Sequence, residues 1–218
     1  MALDVVTNDA SALGEEELEE LAAMEETFDI EALVQAQEDW VLITTARFGN
    51  SLHGFTFSTL ERIGGTPCVL IGLMSVKRSS KRDQVLRGLM GEAYHRALMA
   101  FPDEDVVVGS RFVNADARIA LKDLQDINPL PDERPGGEER AWGRRLAKRF
   151  SIDKKYDAKT FTASTGAQSG YLDFECDDTS KLDADLVEMM SAVPADKGGA
   201  MVVYGWTMAE DLVKLGKR

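Results

Sequence analysis

Hydrophobic positions along the chain change period several times, and each change predicts an element. WVLITTARF, from Trp40, is rich in β-branched and aromatic residues and predicts a strand, which GNSLHG ends as a turn. FTFSTLERI alternates like a half-buried strand up to Gly64-Gly65, and CVLIGLMSV is a near-continuous apolar run suited to a strand covered on both faces. Short turns between these runs predict an antiparallel meander. From Lys81 to Ala100 the period becomes helical, with Val85, Leu86, Leu89, Met90, Ala93, Ala97 and Leu98 on one face and Pro102 beyond the end. DVVVGS then predicts a strand, and Asn114 to Gln125 a second amphipathic helix. A strand-helix-strand succession implies a right-handed crossover and a parallel strand pair.

The flanks are less regular. ALDVVT suggests a short strand, Asn8 to Gly14 a turn, and Glu15 to Met24 and Asp29 to Gln37 two helices. Beyond the centre, the Pro- and Gly-rich stretch 128–138 predicts a loop, and ERAWGRRLAKRF a basic helix. TFTAS, YLDFEC and MVVYGW are strand candidates, with a helix around Ala184 to Met190. The implied organisation is an acidic helical arm over 1–39, a core over 40–150, and a C-terminal α/β extension over 151–218 packed on the core.

Charge reinforces that division. Net charge is −13 over 218 residues, yet residues 1–39 hold thirteen acidic side chains and no Lys or Arg. The rest balances 25 acids against 25 bases, so the acidity belongs to the N-terminal segment. That segment reads as solvated helices, as a lid, or as a surface for a basic partner. No apolar run has the length of a membrane span, and the start lacks a signal-peptide pattern, so the expectation is cytoplasmic. Cys68 and Cys176 sit in apolar strand contexts and are expected to be free thiols. With His53 and His95 the only histidines and no recurring Cys/His spacing, no metal site is expected.

The chemistry-bearing segment is VKRSSKRDQVLR, from Val76 to Arg87. An apolar strand runs into Ser79 and Ser80, which open a long helix. Exposed N–H groups at a helix start attract phosphate, and Lys77, Arg78, Lys81, Arg82 and Arg87 gather positive charge there against Asp83 alone. The same residues also describe a plain helix start with solvated cations.

Here the chain resembles the GNAT superfamily of N-acyltransferases. LIGLMSVKRSSKRDQVLRGLMGEAYHRAL is similar to that family's fourth strand, pyrophosphate loop and long helix. DVVVGSRFVNADARIALKDLQDI is similar to its fifth strand and following helix, with Asn114, Ala117 and Leu124 at the usual positions. The resemblance covers roughly Trp40 to Ile127. It implies an α/β fold with a mixed, mostly antiparallel sheet flanked by helices, and acetyl-CoA or another acyl-CoA as co-substrate. Pantetheine would lie along the strand ending at Met74 to Val76, and the diphosphate would meet the backbone around Arg82, Gln84, Val85 and Leu86. Lys77, Arg78 and Lys81 would reach the phosphates. The family's loop glycines are replaced here by Gln84 and Leu86, and its tyrosine general acid by Leu121, so no catalytic residue is carried over.

Other polar residues remain open. Glu61 is either a general base or a strand-end charge, and Ser75 and Asn114 either orient substrate or satisfy backbone. Tyr94 and His95 read as packing residues of the long helix, and nothing near Cys68 suggests an activated nucleophile. Arg140, Arg144 and Lys148 share a helix face with helical spacing, which suits nucleic-acid phosphates, the acidic arm, or solvent. A neutral body without a nucleic-acid motif argues against the first. The expectation is therefore acyl transfer from acyl-CoA to a small-molecule or peptide amine, without nucleic acid or membrane, and compatible with a homodimer. The alternative is a catalytically inactive GNAT-like binding or scaffold protein.

Overall fold

The computed structural model describes residues 2–216. Its first strand, β1 (Leu3–Asp9), opens the acidic segment and is followed by α1 (Glu15–Ala23) and α2 (Ile30–Asp39). Gly14 and Asp29 start these helices, and Asp29 accepts a hydrogen bond from the Ala32 amide, a side-chain cap for α2. The meander consists of β2 (Leu42–Phe48), β3 (Ser51–Ile63) and β4 (Thr66–Val76), antiparallel throughout. β1 extends it by pairing antiparallel with β2.

α3 (Arg82–Ala100) crosses over to β5 (Val106–Phe112), which runs parallel to β4 through Cys68↔Val107, Val69↔Val108 and Leu70↔Gly109. This meander, long helix and parallel fifth strand form the GNAT-like order that the resemblance implies. β4 is buried from Pro67 to Val76, as its unbroken apolar run requires. α3 buries Val85, Leu86, Leu89, Met90, Ala93 and Ala97, each aliphatic side chain contributing about 1–3 kcal/mol by leaving water.

One expected helix is absent. Asn114 to Gln125 forms only a short 3-10 turn over Asp116–Leu121, and β6 (Gln125–Asn128) follows it after Lys122, Asp123 and Leu124. Ala117, Ala120 and Leu121 bury against the sheet, but the three- and four-residue apolar spacing fits a tight turn as well as an α-helix, and Gln125 is recruited to pair with a later strand.

The remainder comprises α4 (Gly137–Arg149), β7 (Tyr156–Asp157), β8 (Thr162–Ala163), β9 (Leu172–Asp173), α5 (Ala184–Ser191), β10 (Ala200–Thr207) and α6 (Ala209–Leu215). β10 lies antiparallel beside β5, giving the order β1-β2-β3-β4-β5-β10-β8-β7, with β6 on β10 and β9 on β4. TFTAS and YLDFEC therefore contribute only two-residue strands, whereas MVVYGW is a full sheet strand. Among the described residues no helix is long and apolar enough to cross a membrane. Both cysteines are free and buried, and burial pushes the Cys68 thiol up to about 12.

Candidate functional site

β4 and β5 part after Leu70↔Gly109, opening a wedge between their C-terminal halves. Strand edges facing a wedge carry unpaired amides and carbonyls that need partners. Here this chain supplies them. Ser110 Oγ donates to the Ile71 carbonyl at 2.9 Å, and Arg111 Nη2 to the Gly72 carbonyl at 2.7 Å. The Met74 amide donates to the Tyr171 carbonyl at 3.0 Å, and β9 continues parallel to β4 with Met74↔Leu172 and Ser75↔Asp173. The edge that the resemblance assigns to pantetheine is thus hydrogen-bonded to the chain's own β9.

Local backbone chemistry brings that segment in close. Gly170 has φ +115°, a conformation open mainly to glycine, and a Cβ there would lie 2.7 Å from Leu73 Cβ and 3.0 Å from the Gly72 carbonyl. On the neighbouring strand face, Trp40 lies flat enough on Gly72 that an added Cβ would meet its indole at 2.0 Å. Tyr171 then packs on Phe28, ring centroids 5.2 Å apart, which fixes the turn between α1 and α2 against the same segment.

The basic loop is tied into this assembly. Arg78 makes a two-pronged pair with buried Asp173, Nη1 to Oδ2 at 2.6 Å and Nη2 to Oδ1. The same carboxylate accepts from Ser75 Oγ at 2.9 Å and Thr27 Oγ1 at 2.6 Å. Glu25 Oε1 accepts from the Arg78 amide at 3.1 Å, and Glu175 Oε2 lies 3.5 Å from Arg78 Nε. Hydrogen bonding to Asp173, partly offset by burial, holds the Arg78 pKa above its ordinary value. Arg82 donates through Nη1 to the Glu175 carbonyl at 3.1 Å, and Lys81 Nζ sits 3.8 Å over the Phe48 ring. Lys77, Lys81 and Gln84 are exposed, while Val76, Val85 and Leu86 are buried. The Arg82 and Val85 amides already donate to the Ser79 and Lys81 carbonyls.

Asn114 accepts a hydrogen bond from the Ala117 amide at 3.3 Å, serving the 3-10 turn. Glu61 accepts from Arg149 Nε at 2.8 Å, and that guanidinium stacks on Trp40, so this carboxylate is ion-paired. Within the basic helix, Arg145 stacks on Trp142, while Arg144 and Lys148 are exposed.

Sequence reasoning missed Arg111, Asp173, Glu25 and Thr27. Arg111 carries the one visible signal, a cation inside an otherwise uncharged strand. It is 1% exposed and also bonds the Gly166 carbonyl and Ser169, bracing the segment before β9. Burial pushes its pKa down, opposed by the charge of Asp39. Arg111, Trp40 and Ser169 form one wall of a cavity of about 590 Å³ beside α2 and α4, whose rim mixes Asp29, Glu31 and Asp39 with Arg149.

No family model matches the chain, and no curated protein matches it. Among solved structures, the ribosomal-protein-S18-alanine N-acetyltransferase from Escherichia coli is similar, with a TM-score of 0.38 and 13% identity over 62% of this chain and 86% of that one.

Proposed function

We propose that this chain is a GNAT-like binding module whose acyl-CoA groove is closed by its own residues, and that it does not transfer acyl groups in this closed form. The observation that carries the reading is β9 on the wedge edge of β4, with Asp173 holding Arg78. A pantetheine arm needs the same amides and carbonyls, and a diphosphate needs the same guanidinium. Binding acyl-CoA would require displacing a buried carboxylate from a charge-assisted pair, leaving the Ser75 and Thr27 hydroxyls without their acceptor.

A second reading is favoured by the exposed Lys77, Lys81 and Arg87 around the start of α3. In it, residues 170–175 swing out, acyl-CoA enters, and an acyl group passes to a small-molecule or peptide amine. Calorimetric titration of the full chain with acetyl-CoA separates the two. The closed groove gives no saturable heat up to millimolar ligand. Micromolar binding that Arg78→Ala weakens would overturn it in favour of acyl transfer.

A further inference from the structure

Away from the wedge, α3, the 3-10 turn over Asp116–Leu121 and α6 enclose a cavity of about 240 Å³. Leu86, Met90, Ile119, Ala120 and Leu215 make its lining mostly apolar. No residue of β4 or β9 lines it, so its occupancy is independent of whether the wedge opens. The charged groups at its edge, Asp83, Arg87, Lys122, Asp123 and Lys214, are of mixed sign, and Lys214 Nζ is bonded to Asp211 at 2.6 Å. Such an edge selects neither an anion nor a cation.

Two independent features of α3 point to a ligand in this space. Tyr94 lines the cavity and is 3% exposed, and among the described residues its hydroxyl has no hydrogen-bond partner. A buried polar group is ordinarily satisfied, so this one is a donor that the fold leaves over. Burial, then the charge of Asp123, push its pKa up, which keeps the phenol protonated and able to donate.

Gly91 is the second feature. Glycine weakens a helix interior, so its presence there needs a reason. Gly88, one turn earlier on α3, has one, since a Cβ there would lie 2.8 Å from Leu3 and 3.0 Å from Val5 of β1. A Cβ on Gly91 would meet nothing within 4 Å, so packing within the chain does not require this glycine. Gly91 lines the cavity, and a glycine in that place lets a bound molecule lie against the helix backbone.

We propose that this cavity binds a small uncharged ring compound carrying one carbonyl, with the Tyr94 hydroxyl donating to the carbonyl oxygen and the ring seated over Gly91 among Leu86, Met90 and Ile119. An apolar cavity of about 150 Å³ is enough to hold benzene, so a six-membered ring with one oxygen fits the larger space here. The apolar lining buries the ring, and the single donor fixes its orientation.

The test titrates the full chain with cyclohexanone and, as a ring without a carbonyl, benzene, and follows the backbone amide signals of α3 by NMR. Cyclohexanone should give saturable shifts centred on Met90, Gly91 and Tyr94. Tyr94→Phe, which keeps the aromatic ring, should weaken cyclohexanone about fivefold and leave benzene within about twofold of the parent. Gly91→Leu, which places a side chain in the open space, should abolish both sets of shifts. It should melt no lower than the parent, because leucine is the better helix former. The absence of saturable shifts at these amides with cyclohexanone would overturn the proposal. So would equal weakening of both probes by Tyr94→Phe, or cyclohexanone binding that Gly91→Leu leaves unchanged.

Discussion

At the C-terminal end of β4 the Arg78 guanidinium lies among Asp173, Glu25 and Glu175, whereas on the face of α4 and β10 the carboxylates of Asp126, Glu133, Glu138 and Glu139 share a cavity with Arg134. Both are clusters of charge. In the first, the chain supplies the opposite sign and uses it to hold its own segment in place. In the second, largely exposed carboxylates gather beside an aromatic wall whose Trp142 ring already carries Arg145, with Arg134 in the same lining. A charge cluster therefore marks a ligand site only when its countercharge is missing from the fold. That criterion turns the basic loop into a structural clasp.

The comparison breaks most easily on stability. Asp173→Ala removes the acceptor for Arg78, Ser75 and Thr27 together and should cost about 2–4 kcal/mol in urea denaturation. Asp126→Asn, on the cavity rim, should stay within about 0.5 kcal/mol of the parent. Similar losses at both positions would remove the distinction between the clasp and an exposed surface acid.

A smaller effect sharpens the cationic side of the clasp. Burial, then the charges of Lys77 and Lys81, lower the His53 pKa in the folded chain. The unfolded chain therefore binds a proton first as pH falls below the ordinary histidine value. Stability is full above that value, about 6.5, and declines as pH drops toward the lowered one. His53→Gln should flatten this part of the stability profile between pH 7 and 5, read by thermal denaturation, and added salt should shrink the lysine contribution. A profile with the same slope in both proteins would mean that the exposed lysines do not act on His53.

The sheet was legible in the sequence because its strands announce themselves locally. WVLITTARF, FTFSTLERI and CVLIGLMSV became β2, β3 and β4, and the spacing of Val85 to Leu98 marked α3. The 3-10 turn after β5 was not, because apolar positions three or four residues apart do not distinguish six tight residues from a longer helix. The positive charge of VKRSSKRDQ was equally plain, but its meaning was not. Asp173 lies 95 residues from Arg78 and Glu25 lies 53 away on the other side, so the pairing exists only once the sheet has formed. The two-residue β9 carries no periodicity of its own. Its placement comes from the wedge it fills and from the close approach at Gly170.

Closure of the wedge is tested most directly at the Met74 amide, which donates to the Tyr171 carbonyl. Amide hydrogen exchange followed by NMR reads that bond without a substitution. A closed groove predicts protection at Met74 comparable to the amides of the β4–β5 pairing, and no change on adding millimolar acetyl-CoA. Exchange at the rate of an open loop amide, or new protection at Met74 only when acetyl-CoA is present, would contradict it.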